Sequence, residues 1–339
     1  MKSQLVILLN LLFCFSLSAQ TEKKICVAFY NQENLFDTLD DPKKIDEEFT
    51  PAGTYQWTSE RYQNKLTNMS KVIAAMNDGK GPDFLGMCEV ENDRVLIDLC
   101  SELKKKNLDY GYVWHESRDV RGIDNALLYK KSMVKRGNSH LYMIDSAGIG
   151  NDQTRGILMG DFLLKNNGHL ILMVNHWPSR REGEEQSAYK RIFVATTLKA
   201  ITDSIQKKND DCAIILMGDF NDYPNNVSLT QFLHAKKDIK EVDDNDFYNP
   251  MYALMEAGLG SYKHKGEWNF LDQFLLNEEL LEAGEKISYV PNSAAVFKQE
   301  WMLETEEKYK GNPKRTFGGK KYLNGYSDHL PVYLYLQLK

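Results

Sequence analysis

The chain has 339 residues, of which 42% are hydrophobic and 27% charged, and its formal net charge at pH 7 is −6. This composition is typical of a globular protein that buries a core without a disulfide framework. The acidic balance argues against tight, non-specific wrapping of nucleic acid, because such binding depends on neutralising phosphates with basic side chains.

The first twenty residues have the pattern of a secretory signal peptide. Lys2 supplies a positive charge, an apolar stretch follows that is too short to span a membrane, and small residues surround Ser18 and Ala19. We therefore expect residues 1–20 to be cleaved and the protein to be exported to a periplasm or beyond. A lipoprotein anchor at Cys14 is disfavoured, because the residue before the cysteine of such a site is small, whereas here it is Phe13.

The remaining residues, 21–339, show no break in composition, which favours a single domain. Apolar runs predict strands over 25–31, 84–90, 125–130, 157–165, 170–177, 212–220, 270–276 and 332–338. Apolar positions three or four residues apart predict helices that begin near Ser59 and over 94–105 and 188–205. This order of strands and helices indicates mixed sheets. The acidic segment 37–57 between them resembles an insertion over one end of a sheet.

Polar side chains end several of the apolar runs, where burial alone would not place them. The buried-strand pattern A-I-I-L-M-G-D-F-N-D ends with Asp219 and Asn221, which project to the same side because they are two residues apart. Other runs carry Asn31, Glu33 and Asn34; Glu89 and Glu91; Asn175 and His176; Asp272; and Ser327, Asp328 and His329. Each residue alone fits a turn, a cap or a solvated strand end, but their recurrence predicts a shared functional site.

Six motifs in a fixed order carry a family resemblance. They are N-Q-E-N-L-F-D, M-C-E-V-E-N, V-N-H-W-P-S-R, M-G-D-F-N, F-L-D-Q-F-L-L and Y-S-D-H-L-P. Over residues 25–338 the chain resembles the endonuclease/exonuclease/phosphatase superfamily, the deoxyribonuclease I-like proteins, and particularly its secreted bacterial members. The resemblance implies an α/β fold, a four-layered α/β sandwich of two mixed, mainly antiparallel sheets packed face to face with helices outside. It also implies a metal-dependent phosphodiesterase or phosphatase site.

This resemblance implies a divalent metal ion. Glu89 is the first expected ligand, because a hard carboxylate oxygen suits Mg²⁺. Asn31, Glu33 and Asp328 are expected to complete or orient the metal shell. Since the sequence has no clustered cysteine and histidine set, Mg²⁺ or Mn²⁺ is expected rather than Zn²⁺.

The resemblance also assigns catalytic roles. His329 and Asp272 resemble a His–Asp pair in which the carboxylate fixes the imidazole tautomer and raises its basicity. Asp219 would position or deprotonate the attacking water, Asn221 would donate to a phosphoryl oxygen, and His176 would bind phosphate or protonate the leaving group. Whether Asp219 or the His329–Asp272 pair is the base stays open at this point.

Arginines after the His176 motif are candidates for phosphate contacts. Arg180 and Arg191 are the preferred pair, with Arg181, Arg121 and Arg155 as further candidates, although a single arginine more often belongs to a solvated face.

Glu91 departs from the family pattern. Some nucleases have a basic residue at this position, two after the metal-binding glutamate, so the acid weakens the case for duplex DNA. The sequence predicts a monomeric nuclease that hydrolyses phosphodiester bonds and has no stable protein partner. A lipid or inositol phosphate phosphoesterase of the same fold and a non-catalytic binding protein are the alternatives, because the fold alone does not decide the substrate.

Overall fold

The computed structural model describes residues 23–209, 212–282 and 284–339. The expected signal peptide, residues 1–20, lies outside these ranges, and so does Cys14. None of the helices within them is both long enough and apolar enough to cross a bilayer.

The described chain contains many strands and few helices. The strands are β1 (Lys23–Leu35), β2 (Phe84–Val90), β3 (Tyr110–Trp114), β4 (Asp124–Lys130), β5 (Val134–Tyr142), β6 (Ile157–Leu164), β7 (His169–His176), β8 (Ala213–Asp219), β9 (Ala235–Lys236), β10 (Phe247–Tyr248), β11 (Tyr262–His264), β12 (Glu267–Asn269), β13 (Asp272–Asn277), β14 (Ile287–Tyr289), β15 (Ala295–Val296), β16 (Phe317–Gly318), β17 (Lys321–Tyr322) and β18 (Val332–Leu338). The α-helices are α1 (Ser59–Gly79), α2 (Asp93–Lys104), α3 (Glu184–Gln206) and α4 (Met251–Glu256).

Two seven-stranded sheets form the centre of the molecule. The first has the order β14-β18-β1-β2-β4-β3, with β15 also paired to β18, and the second has the order β5-β6-β7-β8-β13-β10-β9. Most neighbours are antiparallel, whereas β1–β2, β7–β8 and β9–β10 are parallel. The first and last strands pair with each other, from Lys23 opposite Leu338 to Phe29 opposite Val332.

Side-chain alternation along the strands separates the layers. In β1, Val27 and Phe29 point into the core between the sheets, whereas Ala28 and Tyr30 pack under α1 and α2. The same period of two divides β8 between the central core and a second outer core under α3. The order of layers is therefore helices, sheet, sheet, helix, which confirms the predicted four-layered sandwich of two mixed, mainly antiparallel sheets.

Most predicted elements are present with small shifts in their bounds. The strands over 84–90 and 332–338 match β2 and β18, and the helix over 94–105 is α2, one residue earlier. The helix near Ser59 is capped by the preceding Thr58, whose side chain accepts a hydrogen bond from Arg61 N. Helix α3 begins at Glu184, one turn before its apolar pattern.

The two large parallel pairs position the functional residues. Pair β1–β2 lies in one sheet, pair β7–β8 lies in the other, and the two pairs pack against each other. Parallel strands end at the same edge of a sheet, so both pairs present their carboxyl ends at one edge of the sandwich. Asn31, Glu89, His176 and Asp219 all lie at this edge.

The predicted insertion, residues 37–57, is a loop with one helical turn at Glu47–Phe49. A small apolar cluster of Phe36, Trp57 and Ile123 fixes its two ends, and the Trp57 indole donates a hydrogen bond to Phe36 O at 3.0 Å. The insertion is therefore an ordered part of the fold next to the strand ends.

Candidate active site

The strand ends adopt an uncommon backbone conformation at several of the predicted site residues. Glu33, Glu89 and Asn221 have φ values of 48°, 59° and 50°. Non-glycine residues seldom adopt this left-handed region, and such strain concentrates at functional sites. Glu89 also lies where the register between β2 and β4 shifts, between Met87 and Val90. Such an irregularity turns a side chain out of the regular strand alternation.

Asn31 joins the two sheets at the edge of the sandwich. Its amide nitrogen donates to Asp219 Oδ2 at 3.2 Å and lies 3.5 Å from Glu89 Oε1. The other Glu89 oxygen accepts from Asn34 N at 3.0 Å. Asn31 therefore orients both carboxylates, which is one of the roles that the resemblance implies for it.

His329 and Asp272 form a buried pair. The distance from His329 Nδ1 to Asp272 Oδ2 is 2.6 Å, and His329 Nε2 lies 3.9 Å from Asp219 Oδ2. Burial opposes the charge on His329, but the carboxylates of Asp272, Asp328 and Asp219 together raise the pKa of His329 well above its usual value. Burial, followed by the charge of Asp272, raises the pKa of Asp219 to about 7.

His176 approaches the same point from β7. Its Nε2 lies 3.9 Å from Glu89 Oε1 and 4.0 Å from Asp219 Oδ2. Burial and then the positive charges of Arg155 and Arg121 lower the pKa of His176 well below its usual value. His176 is therefore a neutral imidazole that faces two carboxylates.

These side chains line one cleft of about 630 Å³. Of the predicted site residues, the cleft wall includes Glu89, His176, Arg180, Asp219, Asn221, Asp328 and His329. The structure thus brings together residues that lie as far apart in the sequence as Glu89 and His329. Asn31 and Asp272 lie behind this wall and hold its carboxylates and the His329 ring.

The donor atoms of the site suit a hard divalent cation. Asp219, Asp272 and His329 bring one donor atom each to within 4.8 Å of one another, but the hydrogen bond between Asp272 and His329 engages those two side chains. Glu89 and Asp328 add carboxylate oxygens to the same cleft. Oxygen-rich sets of this kind match the preferences of Mg²⁺ and Mn²⁺.

Glu33, a predicted metal ligand, is engaged elsewhere. Its Oε1 lies 3.2 Å from Arg315 Nε, and its Oε2 accepts from Thr316 N at 2.6 Å. Asp328 Oδ2 lies 2.8 Å from Nη2 of the same arginine. Burial, followed by the charge of Asp328, raises the pKa of Glu33 to about 7. The geometry gives Glu33 the role of anchoring the chain that leads into β16, and does not place it on the cleft wall.

The structure separates the two preferred arginines. Arg191 is 0% exposed, and its Nε lies 2.7 Å from Asp222 Oδ1, so it does not reach the cleft. Arg180 lines the cleft, but its guanidinium pairs with Asp222 at 3.1 Å and with Glu184 at 3.0 Å. The expectation of a phosphate contact from Arg191 is therefore not met, because this side chain serves as a buried counter-ion.

Arg181 is the cleft arginine that remains available. Its side chain is exposed and lines the cleft, and among the described residues it has no hydrogen bond or ion pair. Arg155 also reaches the wall, but it is tied to Asp119 Oδ2 at 3.1 Å and to Trp177 O at 2.7 Å.

Two further residues belong to the site region, of which Tyr262 was an expected aromatic residue of the substrate mouth and Lys65 was missed by sequence reasoning. The Tyr262 ring packs 4.7 Å from the His329 ring, measured between centroids. Lys65 is 1% exposed under the site, and its ammonium donates to Thr316 Oγ1 and Tyr326 O, both at 2.7 Å. Neither residue belongs to a motif. Lys65 had one available signal, a lysine inside the apolar pattern of a helix.

Fold and site together define a phosphate ester hydrolase built on a four-layered α/β sandwich. A family model for the Endonuclease/Exonuclease/phosphatase family matches residues 26–338. The chain belongs to this family. No curated protein matches it significantly.

Solved structures with the same fold are distant in sequence. A Danio rerio TDP2 complexed with a single-strand DNA product has 14% identity and a TM-score of 0.54, with 92% of this chain and 98% of that chain covered. An endonuclease/exonuclease/phosphatase family protein from Bacteroides thetaiotaomicron has 13% identity and a TM-score of 0.52, with coverages of 94% and 99%. A mannosyl-6-phosphatase from the same species has 14% identity and a TM-score of 0.50, with coverages of 92% and 99%. At these identities the similarity establishes the fold alone.

Proposed function

We propose that this protein is an exported, divalent-metal-dependent phosphodiesterase that cleaves nucleic acid. One observation carries the proposal, namely the convergence of Glu89, Asp219, His176 and His329 from both sheets onto one cleft. Hydrolysis of a phosphate ester requires an activated water, neutralised phosphoryl charge and a stabilised leaving oxygen, and this set of side chains fits all three needs.

Each side chain has a geometric reason for its role. When bound, a divalent cation held by Glu89 and Asp328 would neutralise phosphoryl charge and help to activate water. Asp219 Oδ2 is the atom that faces Asn31, His176 and His329 together, at 3.2, 4.0 and 3.9 Å, so we assign to Asp219 the positioning and deprotonation of the water. Asp272 holds the His329 ring with Nε2 directed into the same space, where it can donate to a phosphoryl oxygen.

The hydrogen bonds of Asn221 favour a different main role from the phosphate contact that the resemblance implies. It lines the cleft, but its amide nitrogen donates to Trp177 O at 3.0 Å and its backbone N–H donates to Asp219 Oδ1 at 2.9 Å. We therefore assign to Asn221 the orientation of Asp219, with a contact to phosphate as a second role.

Nucleic acid is supported as the substrate by the surroundings of the site. Arg181 offers an unpaired guanidinium at the cleft, and the Tyr223 and Tyr262 rings line the cleft wall. Proteins that bind single-stranded nucleic acid combine basic and aromatic side chains in this way. Glu91 does not oppose this assignment, because it is 7% exposed and accepts a hydrogen bond from Asp37 N in the insertion.

Turnover assays test the activity. Purified protein is expected to hydrolyse bis-p-nitrophenyl phosphate with Mg²⁺ or Mn²⁺ and to lose this activity in chelator. Asp219→Ala and His329→Ala are each expected to lower kcat by roughly 10²-fold or more. Comparison of DNA, RNA, phospholipid and inositol phosphates separates nuclease action from lipid or inositol phosphate hydrolysis. Turnover that persists in chelator would exclude the metal mechanism, and no turnover of any ester would favour a binding protein.

Metal binding has a readout that does not depend on turnover. Mg²⁺ at saturating concentration is expected to raise the Tm, because a ligand that binds only the folded state stabilises it by about 2.7 kcal/mol at a hundredfold excess over its Kd. Glu89→Gln should greatly reduce the rise, whereas the exposed Glu307→Gln should leave it unchanged. An equal rise in wild type and Glu89→Gln would remove Glu89 from the metal site.

Export is tested by the mature N-terminus. If residues 1–20 are a signal peptide, N-terminal sequencing of protein recovered from the periplasm or the medium should begin close to residue 21. A protein that stays in the cytoplasm with Met1 intact would contradict export.

A further inference from the structure

A second cavity adjoins the cleft. It has a volume of about 250 Å³ and shares Glu89, Arg181 and Asp328 with the larger cleft. Its remaining wall includes the rings of Phe49, Tyr55 and Phe317, and we call this cavity the aromatic pocket. A group that fills the aromatic pocket would therefore lie beside side chains that also line the cleft.

The rings of the aromatic pocket form a continuous row on a buried base. Phe49 stacks on Phe36 at 4.3 Å with an angle of 8° between the rings, Tyr55 follows at 4.8 Å, and Phe317 lies 4.6 Å beyond Tyr55. Phe36 belongs to the small apolar cluster that contains the fully buried Trp57. Phe49, Tyr55 and Phe317 themselves are partly exposed, and they supply a minor, apolar share of a wall that is otherwise polar.

Two guanidinium groups border the aromatic pocket. Arg315 is held by Glu33 at 3.2 Å and by Asp328 at 2.8 Å, yet its side chain remains 45% exposed. Arg181 is exposed and has no partner among the described residues. Aromatic rings beside guanidinium groups favour the binding of a base that is attached to a phosphate. Every base has a π-face that can stack on a ring, and Arg adds a cation–π contribution.

We infer that the aromatic pocket binds the base of a nucleotide whose phosphate lies in the cleft. This inference rests on the proposed phosphodiesterase function and specifies its substrate. A hexose would depend on hydrogen bonds to the polar groups of the wall rather than on stacking. Both Glu33 oxygens and one Asp328 oxygen already accept from Arg315 or Thr316. The base is bound by stacking, which tolerates any of the bases.

Calorimetric binding of product-like ligands tests the inference without turnover. With Mg²⁺ present, the purified protein should bind thymidine 5′-monophosphate or thymidine 3′-monophosphate at least about fivefold more tightly than deoxyribose 5-phosphate, because stacking of one base contributes roughly that factor or more. Phe317→Leu removes the ring but keeps apolar volume, so it should reduce this preference to less than about twofold. The affinity for deoxyribose 5-phosphate should stay unchanged.

Tyr322→Leu is the matched control. Tyr322 lies 5.5 Å from Phe317 in the same hairpin, but it does not line the aromatic pocket, so this variant should keep the preference for the nucleotide. If Phe317→Leu fails to fold, as seen by circular dichroism, Tyr55→Leu replaces it with the same expected loss.

Three results would overturn the inference. They are equal affinities for nucleotide and deoxyribose 5-phosphate, tighter binding of mannose 6-phosphate than of either nucleotide, and an equal loss for all ligands in Phe317→Leu. Hydrolysis of bis-p-nitrophenyl phosphate, measured on the same preparation, keeps the two proposals apart. Hydrolysis without nucleotide preference would remove the base pocket alone, and nucleotide preference without hydrolysis would remove the enzymatic proposal alone.

Discussion

At the scale of single residues, nearby arginines have opposite environments. Arg181 lies on an exposed loop and faces the cleft without an ion-pair partner among the described residues, whereas Arg191 on α3 is completely buried against Asp222. A buried charge pair is costly to break, because the remaining charge loses its partner away from water. A solvated charge costs little to remove. The two arginines should therefore affect different properties of the protein.

Arg181→Ala should lower kcat/KM for a phosphodiester by roughly 10- to 100-fold, since a hydrogen bond to a charged group contributes about 1.5–3 kcal/mol, and should leave stability unchanged. Arg191→Met should lower the free energy of unfolding by on the order of 3 kcal/mol. Urea unfolding and steady-state kinetics on both variants measure the two effects. Full activity in Arg181→Ala would show that it does not contact the phosphate.

The site residues differ in how far the sequence could predict them. Asp219 and His329 stand in short motifs at strand ends, and local spacing together with the family resemblance was enough to select them. The choice among Arg180, Arg181 and Arg191 was not predictable in this way, because it depends on which side of the chain meets Asp222, a tertiary contact. The position of Glu33 was missed for the same reason, since its partner Arg315 lies 282 residues away.

At the scale of elements, α2 connects the site edge to the insertion. It begins shortly after β2, at Asp93. Its N-cap Asn92 accepts a hydrogen bond from Val95 N at 3.1 Å, and the amide nitrogen of Asn92 donates to Asp37 Oδ2 at 3.2 Å. An N-cap side chain satisfies a backbone N–H that has no partner within the helix. One residue thus stabilises the start of α2 and holds the beginning of the insertion.

Asn92→Ala should lower the free energy of unfolding by about 1 kcal/mol, which is the usual contribution of an N-cap side chain. Asn92→Ser should recover most of this loss, because serine also accepts from the third residue of the helix. Chemical unfolding of the three proteins measures both changes. Equal stability of Asn92→Ala and wild type would show that the cap does not contribute.

Elements with strong apolar patterns were predictable, and the others were not. Strands β2 and β18 match their predictions, because each is a mainly apolar run in which Glu89 or Gln337 is the one charged or amide side chain. Strand β5 was missed, since it lies at the edge of its sheet and exposes most of a polar sequence. Only its pairing with β6 holds it in a sheet, and pairing partners are not visible in local composition.

At the scale of the whole molecule, a buried carboxyl makes stability depend on pH. Asp124 is 1% exposed, its Oδ1 accepts from Ser117 N at 3.1 Å, and its Oδ2 has no hydrogen-bond partner among the described residues. Burial raises the pKa of Asp124 from 3.8 to about 7. Between these values the folded protein holds a proton that the unfolded chain has lost. The stabilisation from Asp124 is therefore complete at low pH and is lost as the pH rises through about 7.

Asp124→Asn removes this titration and keeps the shape of the side chain. The advantage in stability of the variant over wild type should grow by up to about 3 kcal/mol from pH 5 to pH 7 and then stay constant to pH 8. Urea unfolding at several pH values measures the difference. A constant difference between the two proteins across this range would show that Asp124 titrates in the folded protein as it does in water.

The pairing of β1 with β18 has a consequence for how the enzyme is made. Asn31 and Glu89 leave the ribosome early, whereas Asp328 and His329 emerge only with the strand that closes the first sheet. A nascent chain stalled before residue 326 lacks Asp328 and His329 and has none of the hydrogen bonds between β1 and β18. The closing strand of the first sheet and the last two side chains of the candidate site therefore become available together, only after residues 328–338 have been translated.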